Sequence, residues 1–308
     1  MITAFPKIMA FGHRTVKDIL DGPVEVTEKL DGSQFVFGNI GGVLQVRSKG
    51  KQMDLASPDQ MFTEGVEYVL RIKDRLDDGD IYYCEYLRKP KHNTLKYNAI
   101  PNHHLMLFGV STVDGDFVGN YGDLCYKANH LDIDVAPLVF HGEIRESVLD
   151  TLRVMLDRDS YLGGAKIEGV VIKNYAKPYL LADRYLPIMS AKFVSEEFKE
   201  VHRASWSRDN TSKGGLEHLK DMYRTEARWV KAVHSLRDIG ALLQEPADIG
   251  PLIKAVHNDI TEECREDIKD ALWGLFSKEI KGHSTKGLAE WYKERLVQEM
   301  YPTEDGTI

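Results

Sequence analysis

A lysine, an aspartate and a glycine stand close together where two predicted strands meet. The stretch VTEKLDGSQFVFG consists of two short β-forming runs joined by a turn that holds Lys29, Asp31 and Gly32. An amine on a turn at a sheet edge can reach into a cleft and act as a nucleophile, and Gly32 would let a ligand approach the backbone. A lone lysine is more often a solvated charge, so a catalytic role for Lys29 requires chemical partners elsewhere in the chain.

Candidate partners occur in four further segments, each on a predicted strand. In chain order they are Glu85 in IYYCEYL, Phe108 in HLMLFGV, Glu168 and Lys173 in EGVVIK, and Lys192 in MSAKFVSEEFKE. Ordinary structural roles also fit two of them, because an aromatic ring in an apolar strand suits a core position and a lysine can end a strand in solvent. A solvated loop or phosphate contacts both fit the basic residues that follow Glu85, namely Lys89, Lys91 and His92.

Composition predicts a folded protein with one large domain or a large and a smaller one. The 308 residues are 43% hydrophobic and 29% charged, and the formal net charge of -8 argues against coating nucleic acid by bulk attraction. No apolar run is long enough to cross a bilayer, and the first residues lack a secretion signal. Three widely spaced cysteines without a C-x-x-C pair predict a reducing compartment. We therefore expect a cytoplasmic protein with no membrane partner.

Periodicity divides the chain near residue 194. Before that point short β-branched and aromatic runs alternate with turn residues and a few amphipathic helices, which predicts mainly antiparallel sheets with helices outside them. After it the strand signals stop and the remaining segments read as helices.

The region from Lys199 to Arg237 is the most basic part of this helical half. Nine basic residues against five acidic ones give a local net charge of +4, in a chain whose total is -8. Trp206 and Trp229 add possible stacking surfaces for bases. An ordinary charged helix face and a nucleic-acid-binding face both fit this pattern.

Taken together, these motifs resemble the covalent nucleotidyltransferase superfamily of ATP-dependent DNA ligases, RNA ligases and mRNA capping enzymes. EKLDG matches the K-x-D-G nucleophile motif of that superfamily and EGVVIK matches its E-G-x-V-x-K motif, in the same order. TEKLDGSQF is most similar to the E-K-x-[DH]-G-[ST]-[NQ]-F form found in nick-sealing RNA ligases of phages and mitochondrial RNA editing. A helical C-terminal region also suits those RNA ligases, whereas DNA ligases and capping enzymes continue with an all-β OB-fold.

The resemblance implies an α+β fold, with an antiparallel-sheet adenylyltransferase domain over residues 1–194 and an all-helical, polynucleotide-binding domain over residues 195–308. It implies ATP, carried as covalent AMP, and Mg²⁺ as cofactors. The expected substrate is RNA, or RNA-containing nucleic acid, with 3′-hydroxyl and 5′-phosphate ends. An ATP-dependent DNA ligase of unusual layout is the alternative, followed by a non-catalytic nucleic-acid-binding module. A phage-encoded protein of this kind would act in the host cytoplasm. The natural substrate and the oligomeric state stay open.

The resemblance also implies roles for single residues. Lys29 would attack the α-phosphate of ATP, Glu168 would act through the metal and the lysine, and Lys192 would hold the α-phosphate. A divalent cation and nearby cations would lower the pKa of the nucleophile, which is about 10.4 for an unperturbed lysine. The remaining implied contacts to the cofactor are Glu28 and Gln34 to adenosine, Glu85 to the ribose hydroxyls, Phe108 to the purine face, and Lys173 and Arg47 at less defined positions.

Two departures from the pattern of these RNA ligases stand out. Their last strand carries a K-x-K pair, whereas this chain has Ser190, Ala191 and Lys192 there, so one lysine is missing or supplied from elsewhere. The basic position after the nucleophile is either Arg47 or Lys49 in VRSKGK, and the R-S-x-G pattern favours Arg47.

Overall fold

The computed structural model of the protein describes residues 1–181, 184–195, 198–199 and 212–300. The chain divides into two compact units. The first comprises Met1–Glu200 and Glu226–Val256, and the second comprises Val201–Thr225 and His257–Ile308. The predicted boundary after residue 194 assigns residues 226–256 to the helical domain, whereas in the structure they group with the sheets.

The first unit contains a five-stranded sheet, here sheet A. Its strands are β1 (Met9–Ala10), β2 (Val24–Lys29), β8 (Leu138–Gly142), β9 (Gly169–Asn174) and β12 (Met189–Val194), in the spatial order β1-β12-β9-β2-β8. Neighbouring strands are antiparallel except for the short parallel pair of β1 with β12. The three central strands carry the predicted nucleophile and lysines.

A second five-stranded sheet, sheet B, lies in the same unit. Its strands are β3 (Ser33–Ile40), β4 (Val43–Ser48), β5 (Asp80–Tyr86), β6 (Leu105–Thr112) and β7 (Asp134–Val135), in the order β4-β3-β5-β6-β7. A small hairpin of β10 (Tyr179–Leu181) and β11 (Arg184–Leu186) precedes the last strand of sheet A. Both sheets are mainly antiparallel, which confirms the predicted α+β class.

Helices cover one face of each sheet, because β-strands that alternate in polarity leave one apolar face to be buried. Helices α1 (Thr63–Ile72) and α2 (Tyr121–His130) pack on sheet B over a core that includes Phe35, Phe37 and Tyr82. Helix α3 (Val148–Leu156) packs on sheet A through Leu152 and Met155. Burial of each such side chain stabilises the fold by about 1.5 to 3 kcal/mol. The opposite face of sheet B carries Gln34 and Arg47 beside a second apolar cluster that includes Phe5, Val36 and Tyr83.

The C-terminal helices are α4 (Ser212–Met222), α5 (Glu226–Asp238), α6 (Ile249–Ser284) and α7 (Leu288–Met300). Helix α5 and the first residues of α6 belong to the first unit, while α4, the rest of α6 and α7 belong to the second. Leu219 and Cys264 are buried in the second unit.

Helix boundaries differ from the sequence predictions in three places. The sequence pattern of residues 216–239 predicts one helix, which the structure interrupts between α4 and α5, and residues 246–280 read as two helices but form the continuous α6. Ser57 and Pro58 are typical of a helix start, but the α-helix begins at Thr63, after a turn of 3₁₀ helix at Gln60–Phe62. Three members of the predicted basic stretch, Arg203, Trp206 and Arg208, lie outside the described residues. Within the described part of the chain, no helix has the length and apolar character needed to cross a membrane.

Candidate active site

The KLDGS turn, here the crossover turn, carries the chain from sheet A to sheet B. Lys29 is the last residue of β2 and Ser33 is the first residue of β3. At Gly32 the backbone runs so close to β5 that a Cβ would lie 2.7 Å from the carbonyl oxygen of Tyr86 and 2.8 Å from Cγ of Glu85. The glycine of the motif is therefore required by this close approach of two backbones.

The loop after β5, residues 88–97, braces the crossover turn and is here called the brace loop. Oδ2 of Asp31 accepts the backbone N–H groups of Thr94 and Leu95, each at 2.6 Å. The backbone N–H of Asp31 donates to the Tyr97 hydroxyl at 2.8 Å. Asp31 is buried, so these bonds satisfy a carboxylate that would otherwise be costly to remove from water. The motif aspartate fixes the shape of the turn.

The peptide groups of Gly32 are held from both sides. Its carbonyl oxygen accepts Nδ2–H of Asn93 in the brace loop at 2.6 Å, and its N–H donates to Oε1 of Glu85 at 2.9 Å. Burial raises the pKa of Glu85 to about 8; the charge of Lys29 opposes this rise and that of Glu168 adds to it. The raised pKa means that the Glu85 carboxyl takes up a proton at a higher pH than an exposed glutamate does.

Lys29 forms an ion pair with Glu168. Its Nζ lies 2.7 Å from each carboxylate oxygen, and its side chain is 27% exposed, so that solvent and ligands can reach it. Burial by itself lowers the pKa of Lys29, but the charges of Glu168, Glu85 and Asp31 act in the other direction and the pKa is raised. The Lys29 amine beside Glu168 is therefore an ammonium ion, and the expected lowering of its pKa by a divalent cation stays a prediction.

Strand register places three lysines on one face of sheet A. Lys29 pairs with the first residue of β9, and two residues along β9 Val171 pairs with Lys192 of β12. Two residues further, Lys173 pairs with Ser190. Residues paired across strands point to the same face, as do residues two apart along one strand. The charge of Lys192 opposes the burial-driven rise in the pKa of Glu168, which places Lys192 within electrostatic reach of the Lys29–Glu168 pair.

Lys173 is buried, so the alternative of a solvated strand end is wrong. Its Nζ donates to the carbonyl oxygen of Phe108 in sheet B and lies 5.8 Å from the centre of the Phe108 ring. Burial lowers the pKa of Lys173 to about 8. Ser190 pairs with Lys173 across the strands, and nothing in the structure explains the serine at this position.

Gln34 and Arg47 share one face of sheet B, where both contact the N-terminal segment. Oε1 of Gln34 accepts the backbone N–H of Phe5 at 3.1 Å, and Nη1 of Arg47 donates to the carbonyl oxygen of Ile2 at 3.1 Å. Lys49, the alternative to Arg47, is exposed. The structure thus shows Gln34 and Arg47 bonded to the chain itself, and their contacts with the cofactor stay predictions.

Phe108 is partly buried and lies at a β-bulge between β5 and β6. The ring of Phe5 packs edge to face against it, with 5.1 Å between ring centres, and Tyr83 lies at 6.4 Å. Phe108 therefore combines core packing with a position opposite Lys173. Stacking on a purine stays a prediction.

Glu28 is the one predicted site residue whose side chain turns away from Lys29. Neighbouring residues of a strand point to opposite faces. Oε1 of Glu28 accepts the hydroxyl proton of Ser160 at 2.6 Å, and Oε2 accepts the backbone N–H of Tyr161 at 3.0 Å. Burial raises the pKa of this carboxyl. The contact of Glu28 with adenosine stays a prediction that these bonds do not support.

The carboxyl groups of the site would suit a Mg²⁺ ion that is also held by substrate phosphates. Among the described residues, no three His, Cys, Asp or Glu side chains are grouped so as to hold a metal ion. Mg²⁺ usually keeps several waters and binds through one or two carboxylates together with substrate phosphates, so it needs no cage of protein ligands. Glu168, whose carboxylate lies 2.7 Å from the Lys29 amine, is the predicted metal ligand and is suitably placed for this role.

The residues that sequence reasoning missed are those of the brace loop. Asn93, Thr94 and Tyr97 hold the crossover turn, and His92, considered as a phosphate contact, is buried instead. Lys89 and Lys91 are exposed. The only signal in the sequence was the position of this loop directly after Glu85.

A lysine at the end of a strand, followed by a tight turn into a second sheet and paired with a buried glutamate, is the arrangement of a covalent nucleotidyltransferase. The family model described as RNA ligase matches residues 22–186, which include the crossover turn, Glu85 and Glu168. The match covers more than half of the chain, and the protein belongs to the RNA ligase family. No curated protein matches the chain by sequence.

Solved structures that match part of the chain include an RNA ligase and a putative DNA ligase. A ligand-free mutant of the Naegleria gruberi RNA ligase is 15% identical over 64% of this chain and 59% of its own, with a TM-score of 0.47. A mutant of the same ligase with ATP and manganese is 16% identical over the same shares, with a TM-score of 0.45. A putative ATP-dependent DNA ligase from Aquifex aeolicus is 14% identical over 94% of this chain and 68% of its own, with a TM-score of 0.44. This chain spans about 59% of the length of the Naegleria ligase.

Proposed function

We propose that the protein is an ATP-dependent RNA ligase that joins 3′-hydroxyl and 5′-phosphate ends through a lysyl-AMP intermediate. One observation carries this proposal. The Lys29 amine, at the crossover between the sheets, lies 2.7 Å from Glu168, on the face of sheet A that also presents Lys173 and Lys192.

In the first step the neutral amine of Lys29 attacks the α-phosphorus of ATP. The N–P bond forms, the bond between the α-phosphorus and the bridging oxygen breaks, and pyrophosphate leaves. The Lys29 ammonium group must first lose a proton to become the neutral amine. The Glu168 carboxylate, which already accepts a hydrogen bond from it, can take that proton. Lys192 would neutralise charge on the α-phosphate. Magnesium, held by ATP and Glu168, would supply further positive charge beside the phosphates when bound.

Residues of sheet B would bind the purine and the ribose. Glu85, with its raised pKa, can donate a hydrogen bond to a ribose hydroxyl as well as accept one. Phe108 offers a ring for stacking beside Lys173. Gln34 and Arg47 hold the N-terminal segment, which would form one wall of the same pocket.

The second and third steps use a polynucleotide. AMP passes from Lys29 to a 5′-phosphate, and a 3′-hydroxyl then attacks that phosphate, forms the phosphodiester and expels AMP. The basic residues of the C-terminal helices would contact the strand phosphates, which fix position without reading sequence.

Sealing of a nicked duplex tests this proposal. The substrate carries ribonucleotides at the 3′-hydroxyl side and a labelled 5′-phosphate, and the protein is supplied with ATP and Mg²⁺. We expect the label to become resistant to phosphatase and to appear in the joined strand only when ATP is present. Failure to join nicked, single-stranded and stem-loop substrates, by protein that does form an AMP adduct, would refute the ligase proposal.

A further inference from the structure

Helix α5 belongs to the same compact unit as the sheets, although its sequence lies in the region predicted to bind the polynucleotide. Its C-terminal end meets the crossover turn and the brace loop. Ile239, the next residue, lies so close to Gly50 that the glycine has no room for a Cβ. The end of α5 is therefore packed tightly against sheet B and its loops.

A chain of three side chains links the crossover turn to α5. Nδ1 of His92 accepts the backbone N–H of Arg88 at 2.9 Å, so the ring proton lies on Nε2 and is donated to Oγ of Ser33 at 3.0 Å. The Ser33 hydroxyl in turn donates to Oδ1 of Asp238 at 2.8 Å. Burial lowers the pKa of His92 to about 3, with the charge of Arg237 acting in the same direction, so the imidazole is neutral.

The hydrogen-bond directions among His92, Ser33 and Asp238 exclude a serine-hydrolase triad. In a serine hydrolase the serine gives its proton to the histidine. Here Ser33 accepts from His92 and donates to Asp238, and the serine is buried. Burial raises the pKa of Asp238 to about 6, so its carboxylate is ionised at neutral pH and serves as the acceptor.

Arg237, the neighbour of Asp238, holds the brace loop. Its Nη1 donates to the carbonyl oxygen of His92 at 3.3 Å, and its Nη2 donates to Oδ1 of Asn93. Asn93 is the residue whose Nδ2 binds the carbonyl oxygen of Gly32. Asp238 thus holds the crossover turn directly, and Arg237 holds it through the brace loop.

We propose that Asp238 and Arg237 are positioning residues for the attack of Lys29 on ATP, acting through Ser33 and the brace loop. This inference rests on the proposed function. Ser33 is four residues from Lys29 in a turn whose polar groups are nearly all fixed by hydrogen bonds. Catalysis by a held nucleophile is sensitive to displacements of about 1 Å, which can cost roughly a hundredfold in rate. Helix α5 is then part of the adenylylation machinery as well as of the region next to the substrate.

The test measures the single-turnover rate of lysyl-AMP formation in the full chain. We expect Asp238→Ala to slow it roughly ten- to a hundredfold, and Asp238→Asn, whose amide oxygen can still accept from Ser33, to restore most of the rate. Ser33→Ala should cost a similar factor, and the double variant should be no slower than the slower single variant, because the two act as a unit. Glu226→Ala, an exposed carboxylate on the same helix, is the matched control and should leave the rate unchanged.

A second readout separates positioning from loss of fold. Sealing of RNA that already carries 5′-AMP needs no attack by Lys29, so Asp238→Ala should seal it at nearly the wild-type rate. A wild-type rate of adenylylation in Asp238→Ala, an asparagine variant as slow as the alanine variant, or equal losses in both assays would each overturn the inference. Absence of any adduct on the wild-type protein would instead overturn the proposed function on which it rests.

Discussion

At the scale of single residues, the charge of the nucleophile most constrains the chemistry of the site. The Lys29 side chain is an ammonium ion in the free protein. Glu168 holds Lys29 at 2.7 Å, and nearby carboxyl groups raise its pKa although burial opposes them. Below that pKa the fraction of free amine increases tenfold with each pH unit. We therefore expect the second-order rate constant for lysyl-AMP formation to rise steadily with pH.

Glu168→Gln tests the origin of this pH dependence. Without the carboxylate that raises it most, the pKa of Lys29 falls because burial remains, so the rise in rate should level off at lower pH than in the wild type. The rate on the plateau should also be lower by at least a few tens of fold, since Glu168 would act on the phosphates as well. The measurement is the rate constant with ATP between about pH 7.5 and 10. Glu217→Gln, at an exposed carboxylate, is the control. A Glu168→Gln profile that superimposes on the wild-type profile would contradict the assignment.

Among the elements, the crossover turn contributes most to positioning Lys29. It joins two sheets in three residues, and it depends on the brace loop and on β5 for nearly all its polar contacts. At Gly32 any side chain would meet backbone atoms of β5, which cannot move without disturbing sheet B.

Gly32→Ala should therefore reduce both stability and the first step of the reaction. Relief of the overlap requires β5 and the turn to separate, and overpacking of this kind costs about 1 to 3 kcal/mol of the free energy of unfolding. The displaced Lys29 should form lysyl-AMP at least tenfold more slowly. Gly119→Ala, where nothing lies within 4 Å of the added Cβ, should change neither quantity. Denaturant unfolding measures the change in stability, and the rate of adduct formation measures the change in the first step. A Gly32→Ala protein that equals the control in both would show that the close approach of the backbones at Gly32 matters for neither.

At the scale of the whole molecule, the assignment of chain segments to compact units is what sequence reasoning could not supply. Sequence periodicity predicted that the residues of α5 are helical, but it could not predict the unit on which α5 packs. The contacts that decide this, such as that of Asp238 with Ser33, join residues far apart in sequence. The strands and motif positions were predictable because local alternation and short spacing set them. Glu28 shows that alternation could have been used further, since a residue next to Lys29 in a strand must face the other side.

The choice between RNA and DNA concerns the function of the whole molecule. A ligase that recognises RNA at the 3′ side can use the terminal 2′-hydroxyl or A-form geometry, and B-form DNA offers neither. We expect substrates with ribonucleotides at the 3′-hydroxyl end to be sealed at least tenfold faster than all-DNA equivalents. Matched nicks that differ only in the sugars of the last two 3′ nucleotides, sealed by pre-adenylylated protein, give the comparison. Faster sealing of the DNA nick would favour the DNA ligase alternative.

The proposed function depends above all on Lys29 carrying AMP. The direct measurement is mass spectrometry of peptides from the protein after incubation with ATP and Mg²⁺, together with the same measurement on Lys29→Arg. Arginine keeps a positive charge beside Glu168 but stays protonated, so it cannot act as a nucleophile at neutral pH. We predict one AMP on the wild-type peptide that contains Lys29 and none on the variant. An adduct of normal yield on Lys29→Arg, or AMP attached to another residue of the wild type, would contradict the account.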